Sequence, residues 1–598
     1  MNMENEKKFS RAKKWLAIIA GLLVVCTVLM WGVATGWGSV KVDRIKIVGN
    51  GGEQYSALQL TPVGVNEANP APAVIVNHGG SNTAFSELVF GIEYARRGYV
   101  AILCDQINAG ETTIGGNSTA VQLIESWLDF ARSQKYITQI AETGLSKGGL
   151  SVAQVINDGY VDKMDCVITI VSGMALDSIK EYPIGTNFLE VLADADGYDA
   201  NGIYDMSVYD TRVDSVRVKT GLSDYEFGDM LGSFEDKTAF KAVSVRSVHG
   251  YCYVYPTIHA AVYDFLGQAI PTGTNIAPED HIYPLWLLVN GICCVLFVLF
   301  GLTFAYVMVL SPGRRDVLMT ARAIAPAVTK GQRAAQVAMD LVVPFLLFGL
   351  VTPLMAKMTF LRTKVFRCTA VNSTILWLLA VAMFGAIVFV IRNRQAIKSH
   401  TFDASAISGC GADVKMFDFR KIKAALFVAI VTTLVMFGII NIVISVTGLN
   451  YQINGFAFFS RMNAQRFLRA LPYVLVIIPI VLMINISIAT TRRLKETGNE
   501  CVDMAKSIIF NILISIIPLC VLMFCYFGVG YMRGNGIALL PAAFQTSMNT
   551  VIAFPFMMSS SVGISTYLYR KTGNIWTGTF VAALILGFFT LSAPGFIG

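Results

Sequence analysis

The chain has 598 residues, of which 54% are hydrophobic and only 15% charged, and its formal net charge is +7. An ordinary soluble domain is about 25% charged, so a wholly soluble protein and a highly charged disordered one are both excluded. The basic excess gathers between long apolar runs, which points to a lipid bilayer as partner and away from nucleic acid.

The first apolar run, 15–37, follows Lys7, Lys8, Arg11, Lys13 and Lys14. It is long enough to cross a hydrocarbon core of about 30 Å and longer than the roughly 7–15 apolar residues of a cleaved signal peptide. Cys26 follows Val24-Val25 rather than a small residue, so lipoprotein-type processing is not expected. The reading is a cytoplasmic N-terminus at 1–14, an uncleaved signal anchor at 15–37, and a globular region on the far side of the membrane.

Residues 40–275 read as that globular region. Val42–Val48 and Tyr55–Thr61 alternate like a hairpin entering a sheet. Ala73–Asn77 is a short apolar strand that ends in His78-Gly79-Gly80-Ser81. A helix over Phe85–Arg97, closed by Gly98, leads to a strand over Tyr99–Cys104 ending at Asp105, where the carboxylate is expected to order the next loop. A helix over Thr119–Arg132 precedes the strand Thr138–Thr143, which runs into Gly144-Leu145-Ser146-Lys147-Gly148 and a helix over 149–156. Further strands are expected at 166–171, 187–193 and 242–246, with a closing helix at Thr257–Leu266. Strands alternating with helices predict a mostly parallel sheet covered on both faces, with function at the strands' C-terminal ends. Residues 197–240 are expected to form a small cover lined by Tyr198, Tyr204, Tyr209, Tyr225 and Phe227.

G-x-S-x-G at a strand-to-helix turn lifts a serine above the sheet edge, over the unpaired N–H groups of a helix start. Ser146 is therefore the candidate nucleophile. Pro72–Gly80, Ala95–Val100, Asp105 and Gly144–Gly149 follow one another in an order and spacing that resembles the α/β-hydrolase superfamily, with its dienelactone-hydrolase and acyl-peptidase-like branch the nearest in flavour. The resemblance covers under half the chain. It implies an α/β-hydrolase fold and the order nucleophile, acid, histidine.

Five histidines are present: His78, His249, His259, His281 and His400. His249 follows a strand directly, where a general base must sit to reach the elbow. His259 lies inside the closing helix and is expected to be a partly exposed surface residue. For the acid, the turn after 187–193 offers Asp194, Asp196 and Asp199. The resemblance implies Asp196, with Ala193 standing where the family usually has glycine. The same turn partly resembles a calcium loop, but the sixth position from Asp194 is Asp199 instead of glycine and the twelfth is Asp205 instead of glutamate. No metal or other cofactor is expected. Oxyanion donors are expected from the backbone N–H of Lys147 and of Gly80 or Ser81.

Eleven cysteines are scattered, with only Cys104, Cys166 and Cys252 in the globular region, so no disulfide scaffold is expected. Residues 283–598 read as an all-α polytopic membrane domain of about eight further spans, near 283–310, 336–356, 371–391, 424–447, 470–490, 507–528, 540–561 and 575–596. Basic residues concentrate in alternate loops, which fits nine spans with the C-terminus outside. Phe456–Arg469 is disposed like an interfacial helix that presents amphiphilic substrates, or forms a re-entrant connection. The deeper polar groups are amides, Asn290, Asn441, Asn485, Asn511 and Gln545, rather than the buried charges of coupled transporters.

Two functional classes remain open. One is an outward-facing membrane-tethered serine hydrolase acting on a small-molecule, lipid or glycan ester, or an acyltransferase using the same nucleophile. The other is a transporter or sensor whose hydrolase-fold domain serves as a binding module. Oligomeric state is not legible.

Overall fold

A computed structural model describes residues 3–49, 52–80, 82–196, 206–320, 322, 329–358, 364–399, 417–453, 456–533, 552–592 and 596. The chain starts with a long helix, Met3–Thr35 (α1), and then builds a nine-stranded sheet. Its strands are Val40–Val48 (β1), Gln54–Pro62 (β2), Ala71–Asn77 (β3), Val100–Cys104 (β4), Ile137–Leu145 (β5), Cys166–Ile170 (β6), Asn187–Ala195 (β7), Met230–Leu231 (β8) and Phe240–Val248 (β9). The spatial order is β1-β2-β4-β3-β5-β6-β7-β9-β8. From β4 through β9 the strands pair in parallel; β1 and β2 are added antiparallel at one edge and β8 at the other.

The central strands are apolar on both sides because both faces are covered. In β3, Val74 and Val76 face one core while Ala73 and Ile75 face the other; β4 divides Ala101 and Leu103 from Val100 and Ile102 in the same way. The first face carries the helices Leu88–Arg96 (α2) and Pro256–Ala269 (α7); the second carries Ala120–Ser133 (α3) and Lys147–Val155 (α4). The start of α3 is set by a capping box: Thr119 Oγ1 accepts from the Gln122 N–H, and Gln122 Oε1 accepts from the Thr119 N–H. Its Leu123, Ile124, Trp127, Leu128 and Ala131 then recur at helical spacing on the buried side. This is the α/β-hydrolase type of architecture.

Two short elements and one helix were not foreseen: Gly173–Ser178 (α5), Met206–Thr220 (α6) and the edge strand β8. Of the expected cover, 197–205 lie outside the described residues, including Tyr198 and Tyr204, and so does the side chain of Tyr209. Tyr225 is buried in the second core, its hydroxyl accepting from the Ala242 N–H at 3.0 Å and its ring edge-on to Phe240, and Phe227 packs on the same core. These two aromatic side chains fill the sheet's flank.

Among the described residues, seven helices are long and apolar enough to cross a membrane: α1, Tyr283–Leu310, Lys330–Val351, Val371–Gln395, Phe419–Thr447, Ala464–Ala489 and Glu500–Gly528. The last two expected spans differ. Residues 534–551, with Gln545, lie outside the described residues, and the helix found there is Phe554–Thr572. Pro555 sits in its first turn, where the missing N–H costs nothing, and Gly573 ends it in a left-handed conformation. Ile575–Thr590 has 16 residues, about 24 Å, short for a span. Every residue of it is buried, as expected for a helix apolar all round at the centre of a bundle.

The expected interfacial helix at 456–469 is a correction. Phe456–Phe459 pairs antiparallel with Tyr451–Ile453, and helix begins only at Ala464, capped by Asn463, whose side chain accepts from the Arg466 N–H. The hairpin is held by a buried amide: Asn290 Oδ1 accepts from the Gln452 N–H at 3.0 Å. Asn485 and Asn511 are likewise used between helices, on Ser565 and Thr566.

The sheet face under α2 and α7 shares one continuous core with the membrane helices. Loops at the strands' C-terminal ends also rest on them. Arg466 Nε donates to Gly110 O at 2.8 Å, Gln452 Nε2 to Phe85 O at 2.8 Å, and Tyr251 packs edge-on to Phe527 at 5.9 Å.

Candidate active site

Strand β5 ends at Leu145 and α4 begins at Lys147, so Ser146 alone makes the turn, at φ 51° and ψ −117°. A non-glycine residue there costs on the order of 1–3 kcal/mol. The turn is held shut by close backbone approach. A Cβ at Gly144 would lie 2.5 Å from the Gly149 backbone, and one at Gly148 would collide with the Asn77 carbonyl. The Ser146 N–H donates to Ile170 O at 2.9 Å, and Ser172 Oγ donates to Ser146 O at 2.7 Å.

His249 opens a short turn directly after β9 and is buried. Its Nε2 lies 2.9 Å from Ser146 Oγ, and its Nδ1 lies 2.8 Å from Asp196 Oδ1. Asp196 follows β7. The structure thus brings together three groups from the C-terminal ends of β5, β7 and β9. Asp194 goes elsewhere, accepting from the Ser247 N–H at 3.1 Å and pairing with Arg246 at 3.4 Å. A register shift between Ala193 and Ala195 in the β7–β9 pairing separates the two carboxylates. Asp199 lies outside the described residues.

Lys147 is the first residue of α4, so its N–H has no acceptor within the helix and sits at the positive end of its dipole. Its side chain is exposed. The turn after β3 packs alongside: a Cβ at Gly79 would be 3.5 Å from Ser146 Cβ, and Gly80 follows, exposed. Ser81 lies outside the described residues. His78 braces this turn. Its Nδ1–H donates to Gly79 O at 2.7 Å and its Nε2 accepts from the Gln106 N–H at 3.0 Å, while burial pushes it down to about 4 and keeps it neutral. Asp105 is buried; it accepts from the Ala84 and Glu111 N–H groups and pairs with Arg44 at 2.9 Å, ordering its loop.

His259 is not a surface residue. It is fully buried, stacked between Phe90 at 4.2 Å and Tyr283 at 4.1 Å, with Nδ1 on Tyr263 Oη and Nε2 on Tyr253 O. The helix that carries it is covered by α2 and the start of Tyr283–Leu310, and burial pushes its imidazole down to about 3. His281 sits beside it, 5.8 Å ring to ring. His400 lies outside the described residues.

Sequence reasoning missed a buried network behind the turn at 78–82. Tyr253 Oη donates to Glu87 Oε1 at 2.9 Å and accepts from Asn82 Nδ2 at 2.6 Å, and it lies 3.6 Å from the Cβ position of Gly79. Burial pushes the Glu87 carboxyl up to about 8. Tyr253 thereby ties the loop that carries His249 to the turn beside Ser146. Glu190, also pushed up to about 8 by burial, braces the elbow from below through Thr169 and the Ser172 N–H.

No protein-family model matches the chain, and no curated protein sequence does. Among solved structures, the chain is similar to Est1E from Butyrivibrio proteoclasticus with ferulic acid bound, at 15% identity over 38% of this chain and 98% of that one, TM-score 0.29. The Pyrococcus furiosus esterase Pf2001 is similar at 11% identity over 38% and 92%, TM-score 0.29. Brefeldin A esterase, a bacterial homologue of human hormone sensitive lipase, is similar at 14% over 43% and 85%, again with a TM-score of 0.29.

Proposed function

We propose that this protein is a membrane-anchored serine hydrolase of the α/β type, related to dienelactone hydrolases and acyl peptidases, that cleaves an ester, thioester or amide acyl bond. One observation carries the reading: an unbroken chain runs from Ser146 Oγ to His249 Nε2 at 2.9 Å, and from His249 Nδ1 to Asp196 Oδ1 at 2.8 Å, on a serine held at a strained elbow.

His249 Nε2 takes the Ser146 proton as Oγ adds to the acyl carbon, and Asp196 holds the imidazole tautomer and stabilises its charge. The oxyanion receives the N–H of Lys147 and of the turn at Gly80–Ser81. His249 then passes the proton to the leaving group. Water enters, gives a proton to His249 and adds to the acyl carbon; collapse releases the acid and returns the proton to Ser146 Oγ.

In this reading 15–37 is the anchor, 40–275 the extracytoplasmic hydrolase domain and 283–598 the membrane domain. The basic residues before the apolar run 15–37 support a cytoplasmic N-terminus, which puts the site at the outer face. A site seated on membrane helices favours lipid, glycan or other amphiphilic esters as substrates. The test is labelling of the full chain by a fluorophosphonate probe. Labelling that vanishes in Ser146→Ala supports the proposal, and an unlabelled wild-type protein overturns it in favour of a binding module. Product analysis with competing alcohol and amine acceptors separates hydrolysis from acyl transfer.

A further inference from the structure

Far from the hydrolase sheet, the membrane domain has a partly open cavity of about 330 Å³ between the helices Lys330–Lys357, Thr369–Lys398, Ala464–Ala489 and Glu500–Met523. Its wall is apolar along most of its length, with Trp377, Phe384, Met483, Pro518 and Leu519 facing in. One end is charged. Arg492 Nε pairs with Asp340 Oδ2 at 2.8 Å and its NH1 donates to Ser515 Oγ at 3.1 Å. Gln336 Nε2 donates to Asp340 Oδ1 at 3.0 Å, while Arg392 donates to neutral acceptors, Gln336 Oε1 at 2.6 Å and Met339 Sδ at 3.8 Å.

The polar end can be placed. Arg466, at the start of Ala464–Ala489, bonds the hydrolase domain, so Arg492, just beyond the other end, lies on the opposite side of the membrane domain. Trp377 and Arg392 stand fifteen residues apart on one helix, about 22 Å. That exceeds half of a hydrocarbon core of about 30 Å.

We propose that this cavity binds an amphiphile whose hydrocarbon chain lies along the apolar wall and whose anionic headgroup meets Arg392 and Arg492. The charge count sets the sign of the head: the charged residues lining the cavity are two guanidiniums and one carboxylate, and that carboxylate is already engaged by Arg492 and Gln336. A phosphate or carboxylate accepts charge-assisted bonds from Arg392, and a zwitterionic head brings a second, cationic group that the two guanidiniums repel. The shape sets the tail. Room exists for it at Gly385, where an added Cβ would meet only Met483 Cε, at 3.9 Å. The site is separate from Ser146 and does not depend on the catalytic reading.

Trp377 reports on it directly. The full chain in nanodiscs is titrated with dibrominated phosphatidylglycerol, dibrominated phosphatidylcholine or a dibrominated fatty acid, and quenching of Trp377 is taken as the difference between wild type and Trp377→Phe. Phosphatidylglycerol is expected to quench at a mole fraction about tenfold lower than phosphatidylcholine, the scale of one charge-assisted bond. Arg392→Gln is expected to erase that preference, and Gly385→Leu, which fills the cavity while favouring helix, to abolish saturable quenching. Equal quenching by both phospholipids, or unchanged quenching in Gly385→Leu, overturns the proposal. A fatty acid that matches phosphatidylglycerol supports it with the free acid as ligand; one that does not assigns the diacyl lipid. Lipid retained by wild type but not by Gly385→Leu in native mass spectrometry supports it independently if Trp377→Phe fails to fold.

Discussion

Asp194 and Asp196 differ by two positions in the chain but make opposite predictions. The Asp196 carboxylate is 2.8 Å from His249 Nδ1, and the two side chains are only 8% and 9% exposed. Replacing it by asparagine keeps the volume but removes the charge. With charge centres about 4 Å apart and an effective dielectric near 20, the lost stabilisation of the imidazolium is about 4 kcal/mol. The amide adds a second penalty. If it turns its NH₂ toward Nδ1, the ring must carry its proton on Nε2, where it can no longer accept from Ser146 Oγ. Together these predict phosphonylation of Ser146 by a fluorophosphonate slowed about 10³–10⁴-fold, since each 1.36 kcal/mol is tenfold. Asp194→Asn is the matched control. Asp194 pairs with a half-exposed Arg246 and accepts a backbone N–H that an amide oxygen can still accept, so it should lose at most about 1 kcal/mol of stability and label within a few-fold of wild type. Stopped labelling time courses on the two variants and wild type decide the matter. Asp196→Asn labelling within tenfold of wild type, or Asp194→Asn slowed as much as Asp196→Asn, refutes the assignment of roles.

Other outcomes follow from the same packing. Gly148→Ala drives a methyl into the Asn77 carbonyl, so it should cost about 1–3 kcal/mol or more and abolish labelling, measured by thermal unfolding and probe reaction. Tyr253→Phe leaves Glu87 and Asn82 short of a partner and should destabilise by about 1–3 kcal/mol; if the network is one unit, Tyr253→Phe and Glu87→Gln combine to less than their sum. Glu87 moves from 4.5 to about 8 on folding, so it takes up a proton; its contribution is complete below 4.5 and lost as pH rises through 8, and Glu87→Gln should flatten the decline in melting temperature across that window. His78 and His259, pushed down to about 4 and 3, act in the opposite sense: their contribution is present above 6.5 and lost as pH falls through 4 to 3, so the acid side of the same pH–melting profile should survive Glu87→Gln unchanged.

Sequence pattern revealed most of the sheet because each strand announces itself locally. Val74 to Val76 are apolar on both faces, as a strand buried on two sides must be, and Gly144 and Gly148 flank a serine because backbone passes within contact distance there. What stayed hidden depends on partners far along the chain. His259 looks like any polar residue on a helix until Phe90 and Tyr283 close on its two faces. Glu87 occupies a first helical turn, where acids are ordinarily solvated, and nothing nearby in sequence signals a tyrosine 166 residues away. Phe456, Phe459, Phe467 and Arg466 have helical spacing, yet the register is broken by a hairpin whose backbone is satisfied by Asn290 from another helix.

That last case links the two halves of the chain. Asn290 fixes the hairpin, Gln452 of the hairpin bonds Phe85 O at the start of the turn leading into α2, and Arg466 just beyond it bonds Gly110 O in the loop after β4. The loop that carries His249 packs on Phe527 through Tyr251 and is tied by Tyr253 to the turn beside Ser146. The loops around Ser146 are therefore held on one side by the sheet and on the other by membrane helices. A sheet cut free of residues 283–598 would keep its strand pairing but lose the supports of the loops after β3, β4 and β9. The membrane half is thus part of what positions the Ser146–His249 pair, and not merely what tethers it.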